Sequence, residues 1–306
     1  MRLLLLHNPA AGGDEPPATA LVTTLEDGGH TVLTRDPGSD DWLAELGPDL
    51  DAVVAAGGDG TVRRAALVLA RARSDVPLAM LPQGTANNIA RSVGATGTAT
   101  DLAAALGSAV RSRLAIGVAE GRWGRREFVE SAGVGFFTTL LGSRPPEEDR
   151  GPREARLAAA QARLRRHLEE APPLHLTLQA DGVNLTGRYL LAEALNIPAV
   201  GPGAPLAPDA DYAEAALRLV LVGASERSVV ADSLDRLARG ETLVTRLPSR
   251  PVTELVLDWP DGRGHVDDEV WPVAGTGAST PAHAPPGRVT LRIMTTIPIL
   301  VPGRRP

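Results

Sequence analysis

Gly57, Gly58, Asp59, Gly60 and Thr61 follow an apolar run, Asp51–Ala56, that reads as a strand ending in a turn and opening a helix. Glycines let a backbone approach a bulky anion without Cβ interference. The N–H groups of such a turn and of the following helix N-terminus favour phosphate. Asp59 would repel a bare phosphate, so it points to a metal ion or a ribose hydroxyl held at the same place, and hence to a nucleotide. The plain alternative is a tight turn with a solvated aspartate. A second loop, Pro82–Asn88, offers Gly84, Thr85, Asn87 and Asn88. Alone it reads equally as turn chemistry and a helix cap. A third group, Asp267, Asp268 and Glu269, sets three acids in a row after a strand. Crowded acids repel, and repulsion suits a carboxylate to act as a base. The alternative there is a solvated acidic turn.

The elements that must position these groups fall into two textures. Up to about residue 112, short apolar runs alternate with helical patterns: strands at Leu3–Leu6, His30–Thr34, Asp51–Ala55 and Pro77–Leu81, helices at Pro17–Glu26, Ser39–Leu46, Thr61–Arg73, Ile89–Val93 and Asp101–Val110. That alternation predicts βαβ units and a parallel sheet. Loops 8–13, 57–61 and 82–88 all follow strands, so they should gather at one sheet edge. Beyond residue 112, seven strand-like runs joined by Gly/Pro turns predict an antiparallel β-sandwich, interrupted by one helix at Arg153–Glu170. Arg144–Pro152 and Thr276–Gly287 read as mobile loops. The predicted division is residues 1–112, residues 113–290, and a tail, 291–306, that can return to the first domain.

Composition excludes several chemistries. The 306 residues contain 31 basic side chains, all arginine. Without lysine there is no Walker A site, no protein-kinase phosphate lysine and no Schiff base. Without cysteine there is no disulfide, thiolate metal site or thiol nucleophile. The six histidines show no ligand spacing. A net charge of −6 argues against a broad nucleic-acid surface. The first apolar run is too short for a signal peptide or a membrane span, which predicts a cytoplasmic protein with at most peripheral contact at the inner membrane face. A homodimer is compatible with the sequence.

Four segments carry a family resemblance: Asn8, Pro9, Ala10, Ala11 and Gly12; Gly57–Thr61; Leu81–Arg91; and His265–Glu269. Together, and in this order, they resemble the diacylglycerol kinase catalytic-domain family, which includes bacterial lipid kinases and sphingosine kinases and lies in a superfamily with NAD kinases. The second loop favours the lipid kinases. The resemblance implies ATP-dependent transfer of the γ-phosphoryl group to a lipid hydroxyl, with diacylglycerol the favoured acceptor and Mg²⁺ as cofactor, in a cleft between the domains. It implies that Gly58, Gly60 and Thr61 cradle phosphates, that Asp59 binds the metal–nucleotide complex, and that residues 8–12, Thr34 and Thr85 complete the pocket. It makes Asp267 and Glu269 the acid positions without choosing between them as base.

The chain departs from the family's pattern in places. Glu214, Ala215 and Arg218 stand where the family holds a structural magnesium through Asp residues, which puts that site and Glu214 as a ligand in doubt. Arg63 and Arg64 either supply charge near phosphates or are exposed helix arginines. Glu130 is a charge in an apolar strand, paired structurally or facing substrate, and Asn196 is suited to securing backbone. The Arg153–Glu170 helix has a leucine stripe flanked by arginines, fit for its own domain or for an anionic membrane surface. These departures leave two other functions open: a nucleotide-binding regulator without catalysis, and a kinase of a soluble polyol or nucleotide.

Overall fold

A computed structural model of the chain describes residues 1–7, 16–39, 41–143, 151–241, 247–259, 263–271 and 287–303. Asn8–Gly12 and most of the two segments read as mobile loops lie outside the described residues. The chain divides into two compact units: Met1–Ala115 with Thr295–Pro306, and Ile116–Met294.

The first unit is an α/β layer. It contains β1 (Arg2–His7), α1 (Ala18–Asp27), β2 (Thr31–Arg35), β3 (Ala52–Gly57), α2 (Asp59–Ala72), β4 (Leu78–Pro82), α3 (Asn88–Ser92) and α4 (Ala99–Ala104). β2, β1, β3 and β4 lie side by side in that order, all parallel. Leu3–Leu6 and Ala52–Ala56 have no exposed surface. Such unbroken apolar runs are what a parallel sheet covered on both faces requires. Leu3, Leu5, Ala52 and Val54 share one core with Leu21 and Leu25 of α1 and Ala99 and Ala103 of α4. α2 packs on β3 and β4 through Val62, Ala65, Ala66 and Leu69. The Ser39–Leu46 helix is a short 3-10 turn, Asp41–Glu45, that buries Trp42.

The second unit is antiparallel. β5 (Val110–Gly121) enters it and pairs with β6 (Gly124–Phe128). There follow β7 (Ser131–Gly135), α5 (Phe136–Gly142), α6 (Arg153–Glu170), β8 (Leu174–Leu176), β9 (Leu178–Ala180), β10 (Val183–Asn184), β11 (Gly187–Tyr189), β12 (Leu191–Leu195), β13 (Leu217–Val222), α7 (Arg227–Ala238), β14 (Ser249–Val252), β15 (Glu254–Trp259), β16 (Gly264–Val266), β17 (Glu269–Trp271) and β18 (Gly287–Val301). β18 leaves the unit at Thr295, and its Ile299 pairs in parallel with Leu78 of β4 inside the first unit.

One sheet of the second unit runs β14-β13-β12-β7-β16-β17, and β10-β9-β15-β18 forms the other. They face each other through a common core: Ala132, Ala194, Leu219 and Val252 from the first meet Leu178, Leu257, Trp259 and Leu291 from the second. That is the predicted sandwich. The reverse face of the six-stranded sheet, marked by Leu191, Leu195 and Val222, is covered by α5, α6 and α7.

Sequence patterning predicts one helix in this unit, and the described residues contain three α-helices. α5 reads FFTTLLG, a short apolar run that periodicity cannot separate from a buried strand. The leucine stripe of α6 is spent on its own unit: Leu164 and Leu168 are fully buried in the core beneath it. Arg165 of α6 bonds Asp235 of α7, and Arg227 of α7 donates to the carbonyls of Leu168, Glu169 and Ala171 at the end of α6. A cation on the last carbonyls of a helix satisfies groups that the helix itself leaves open.

Candidate functional site

β1, β3 and β4 end level with one another, because His7 pairs with Ala56 and Gly57 with Pro82. The loops after β3 and β4 therefore leave the sheet together. They touch backbone to backbone: a Cβ on Gly58 would sit 3.0 Å from the Cα of Gly84, and one on Gly84 would collide with Gly58. A Cβ on Gly57 would strike the side chain of Thr61, whereas Gly60 meets nothing. Crowding thus requires glycine at positions 57, 58 and 84.

The side chains of these loops bind them to each other. Asp59 Oδ1 accepts the Ile89 N–H at 2.9 Å, stapling the start of α2 to the start of α3. Asn87 sits at φ 54°, a left-handed conformation that asparagine tolerates well. Its Oδ1 accepts the Gly84 N–H and its Nδ2 donates to the Gly84 carbonyl. One acceptor and one donor site of this amide thus close the turn. Thr61 is buried and Thr85 half-buried. Thr34 is exposed on β2, level with Leu5 and two strands from β3, hence about 10 Å to the side. Arg64 donates to the Gly38 carbonyl. Gln83, to which the sequence reading assigns no role, is buried; its N–H donates to the Gly57 carbonyl and its Nε2 to the Pro16 carbonyl. It ties the two loops to the chain just after residues 8–15. Gly58, which precedes the fourteen-residue α2, has no side chain to cap it, and its carbonyl accepts the Thr61 and Val62 N–H groups.

The acidic segment is the turn of a hairpin in the second unit, with Val266 of β16 paired to Glu269 of β17. Asp267 takes the left-handed position of this two-residue turn, at φ 52°. It is buried. Its carboxylate accepts the N–H groups of Val129, Glu130 and Ser131 at 2.7–3.3 Å, and its own N–H donates to the Ser131 carbonyl. Asn196 holds the same stretch from β12's end, donating its N–H to the Glu130 carbonyl and its Nδ2 to the Val129 carbonyl. Asp267 and Asn196 therefore clamp the junction between β6 and β7. Asp268 is exposed at the turn.

Glu269 differs from Asp267 in surroundings. Its side chain is 41% exposed, with Oε2 2.7 Å from Nη2 of Arg126. The Arg126 guanidinium lies 4.7 Å over the ring of Trp271. Trp271 meets Trp123 edge-on, and Trp123 stacks on Trp259. Glu269 thus sits on an edge strand with its orientation set by an arginine that an aromatic cluster supports.

Glu214 and Asp209 each lie 3.5 Å from the guanidinium of Arg218. Ser249 donates to Asp209 as well. Among the described residues no group of three or more His, Asp or Glu is arranged to hold a metal ion.

Comparison with known proteins bears on the first unit most directly. Residues 2–119 match the diacylglycerol kinase catalytic domain. That match contains both glycine loops and leaves the acidic hairpin outside it. The chain is 39% identical over 97 residues to a Pseudomonas aeruginosa protein named "Probable lipid kinase YegS-like", and 34% identical over 149 residues to a Klebsiella pneumoniae protein of the same name. These stretches are 30% and 47% of this chain and span only 32% and 48% of the relatives' lengths. Two solved structures from Bacillus anthracis str. Sterne share the fold, with TM-scores of 0.67 and 0.63 at 16% identity, each covering 97% of this chain and 95% of its own. The second bears the name diacylglycerol kinase.

Proposed function

We propose that the protein is an ATP-dependent lipid kinase, transferring the γ-phosphoryl group to a lipid hydroxyl, with diacylglycerol the favoured acceptor. The observation that carries this reading is the pair of glycine loops in backbone contact at Gly58 and Gly84, stapled by Asp59 at the start of α2. These residues fit a nucleotide's phosphates: side chains are excluded where the loops meet, and helix N–H groups lie beside them. Phosphoryl transfer asks mainly for positioning and charge neutralisation. A divalent cation brought in with the nucleotide supplies neutralisation, and Asp59 is the acid beside the cradle to hold it. Thr61 and Thr85 line the nucleotide.

Between the two acids of the hairpin, the geometry supports Glu269 as the base. The Asp267 carboxylate is occupied by three backbone N–H groups, whereas Glu269 is partly open to solvent. In this reading Glu269 takes the proton of the acceptor hydroxyl as its oxygen bonds phosphorus and ADP leaves, while Asp267 holds the turn. The acceptor reaches the protein at a membrane surface, and no helix among the described residues is long and apolar enough to cross one.

The test is transfer of label from γ-labelled ATP to lipids presented in mixed micelles, beside water-soluble polyols and nucleotides without micelles. Label in diacylglycerol supports the reading. Label in soluble acceptors alone, or nucleotide binding without transfer to anything, overturns it.

A further inference from the structure

The face of β16 opposite to Glu269 carries a second chain of polar groups. His265 and Glu193 are buried, with 2% and 0% of their surfaces exposed. His265 Nε2 lies 2.9 Å from Glu193 Oε1, and Nδ1 lies 3.0 Å from Thr138 Oγ1 on α5. The pairing register explains how residues two strands apart can meet. Glu193 of β12 and His265 of β16 are both paired with Gly133 of the intervening β7. A Cβ on Gly133 would collide with Oε2 of Glu193, so glycine there opens the space through which the carboxylate reaches the imidazole. Oε2 itself has no partner among the described residues. Burying a carboxylate with one oxygen unbonded is costly, and hydrophobic residues at positions 193 and 265 would pack the same interface without that cost. A buried polar group kept at a cost calls for an account.

We infer that Glu193, His265 and Thr138 form a positioning relay for the acidic turn Asp267–Glu269. A carboxylate only accepts, so Nε2 carries the ring proton and donates to Glu193. In a neutral ring Nδ1 then accepts from the Thr138 hydroxyl. This tautomer ties β16 to β12 on one side and to α5 on the other. The hairpin needs such ties. Among the described residues β16 is three residues long, and its ladder with β7 contains the pairs His265–Gly133 and Val266–Ala132. Beyond that ladder it is held by the Asp267 N–H on the Ser131 carbonyl and by side chains: the relay on the helix-covered face and the Asp267 clamp at the turn. His265 stands two residues before Asp267, so a ring free to swing loosens the turn and, with it, the hold of Asp267 on Val129, Glu130 and Ser131. The consequence for turnover rests on the lipid-kinase reading; the positional consequence does not.

Thr138→Val tests the relay gently, because it removes one hydroxyl from a partly exposed helix position without changing shape. Amide exchange of Val129, Glu130 and Ser131 is expected to quicken about fivefold or more, while Leu191–Leu195 of the same sheet stay protected. Thr138→Ser, which restores the hydroxyl, returns both to the native pattern. In the native protein the ¹⁵N resonances of the His265 ring should show a protonated Nε2 and a bare, accepting Nδ1. With diacylglycerol as acceptor, Thr138→Val should lower kcat about tenfold with KM for the lipid unchanged, the signature of a displaced group rather than lost binding. Unchanged exchange at 129–131, or a rise shared equally by Leu191–Leu195, overturns the relay. A native protein that phosphorylates no lipid overturns the kinase reading while the exchange pattern still decides the relay.

Discussion

Asp59 in the first unit and Asp267 in the second do the same mechanical job over very different lengths of chain. Each lies in or beside a turn and uses its carboxylate to gather backbone N–H groups from another segment: Ile89 for Asp59, and Val129, Glu130 and Ser131 for Asp267. Asp59 reaches thirty residues along the chain and Asp267 nearly one hundred and forty. Asp59 stays half-exposed, but Asp267 is 8% exposed. The difference separates chemistry from architecture. A half-exposed acid can still serve a ligand, whereas a buried acid with three N–H donors is part of the frame.

The largest expected effect falls on the open acid of the hairpin. Glu269→Gln should lower kcat by roughly 100- to 10,000-fold, the range for loss of a general base, with the thermal midpoint within a degree or two of native. Asp267→Ala should do the reverse in kind. It leaves buried N–H groups unpaired, at about 1–3 kcal/mol for each donor without a substitute partner. A two-state unfolding curve for Asp267→Ala should shift by about 3 kcal/mol or more. If Asp267→Ala proves as stable as native and Glu269→Gln retains full turnover, the two acids have been assigned the wrong way round.

This contrast also marks what the sequence made legible. The glycine loops were readable because their determinants are local: apolar run, glycines and helix start lie within about ten residues, and Asn87 closes on Gly84 three residues away. The parallel sheet was readable because Leu3–Leu6 and Ala52–Ala56 are buried on both faces and show it as unbroken apolar runs. What was not legible depends on distant partners. Nothing near Glu269 announces Arg126, and nothing near His265 announces Glu193 or the gap left by Gly133. Asn87 belongs with the legible part: its bonds to Gly84 are the turn chemistry that the loop's composition offers. α5 was missed because seven mostly apolar residues are too few to show a period.

A smaller effect separates charge from mechanics in the first unit. Asp59→Asn keeps an oxygen for the Ile89 N–H and removes the charge; Asp59→Ala removes both. Loss of the staple should cost about 1–2 kcal/mol of stability, since an N–H bond to a charged acceptor is worth more than a neutral one. If Asp59 serves the nucleotide, both variants lose turnover but only Asp59→Ala loses stability. Turnover retained in Asp59→Asn would make Asp59 a staple alone, like Asp267.

Asp181 offers the smallest and cleanest test, because it repeats the geometry of Asp267 at the surface. It too has a left-handed backbone, at φ 49°, in the Asp181–Gly182 turn between β9 and β10. Its carboxylate accepts the Thr253 hydroxyl and the N–H groups of Thr253 and Glu254. The Thr253 hydroxyl first, and the Glu254 N–H after it, hold this carboxyl below its ordinary value. A folded-state value depressed in this way contributes stability that is complete above the unfolded carboxyl's pKa and is lost as pH falls through the folded one. Asp181→Asn should therefore cost less than about 1 kcal/mol near pH 7, because solvent screens an exposed group. The gap between the two proteins should close below about pH 4, where a protonated aspartate and an asparagine offer these donors much the same acceptor. Denaturation midpoints between pH 3 and pH 7 measure it directly. A gap that stays constant to pH 3 would mean that turn conformation, not charge, carries the contribution of Asp181, and would weaken the case that ionised carboxylates are what clamp the buried turn as well.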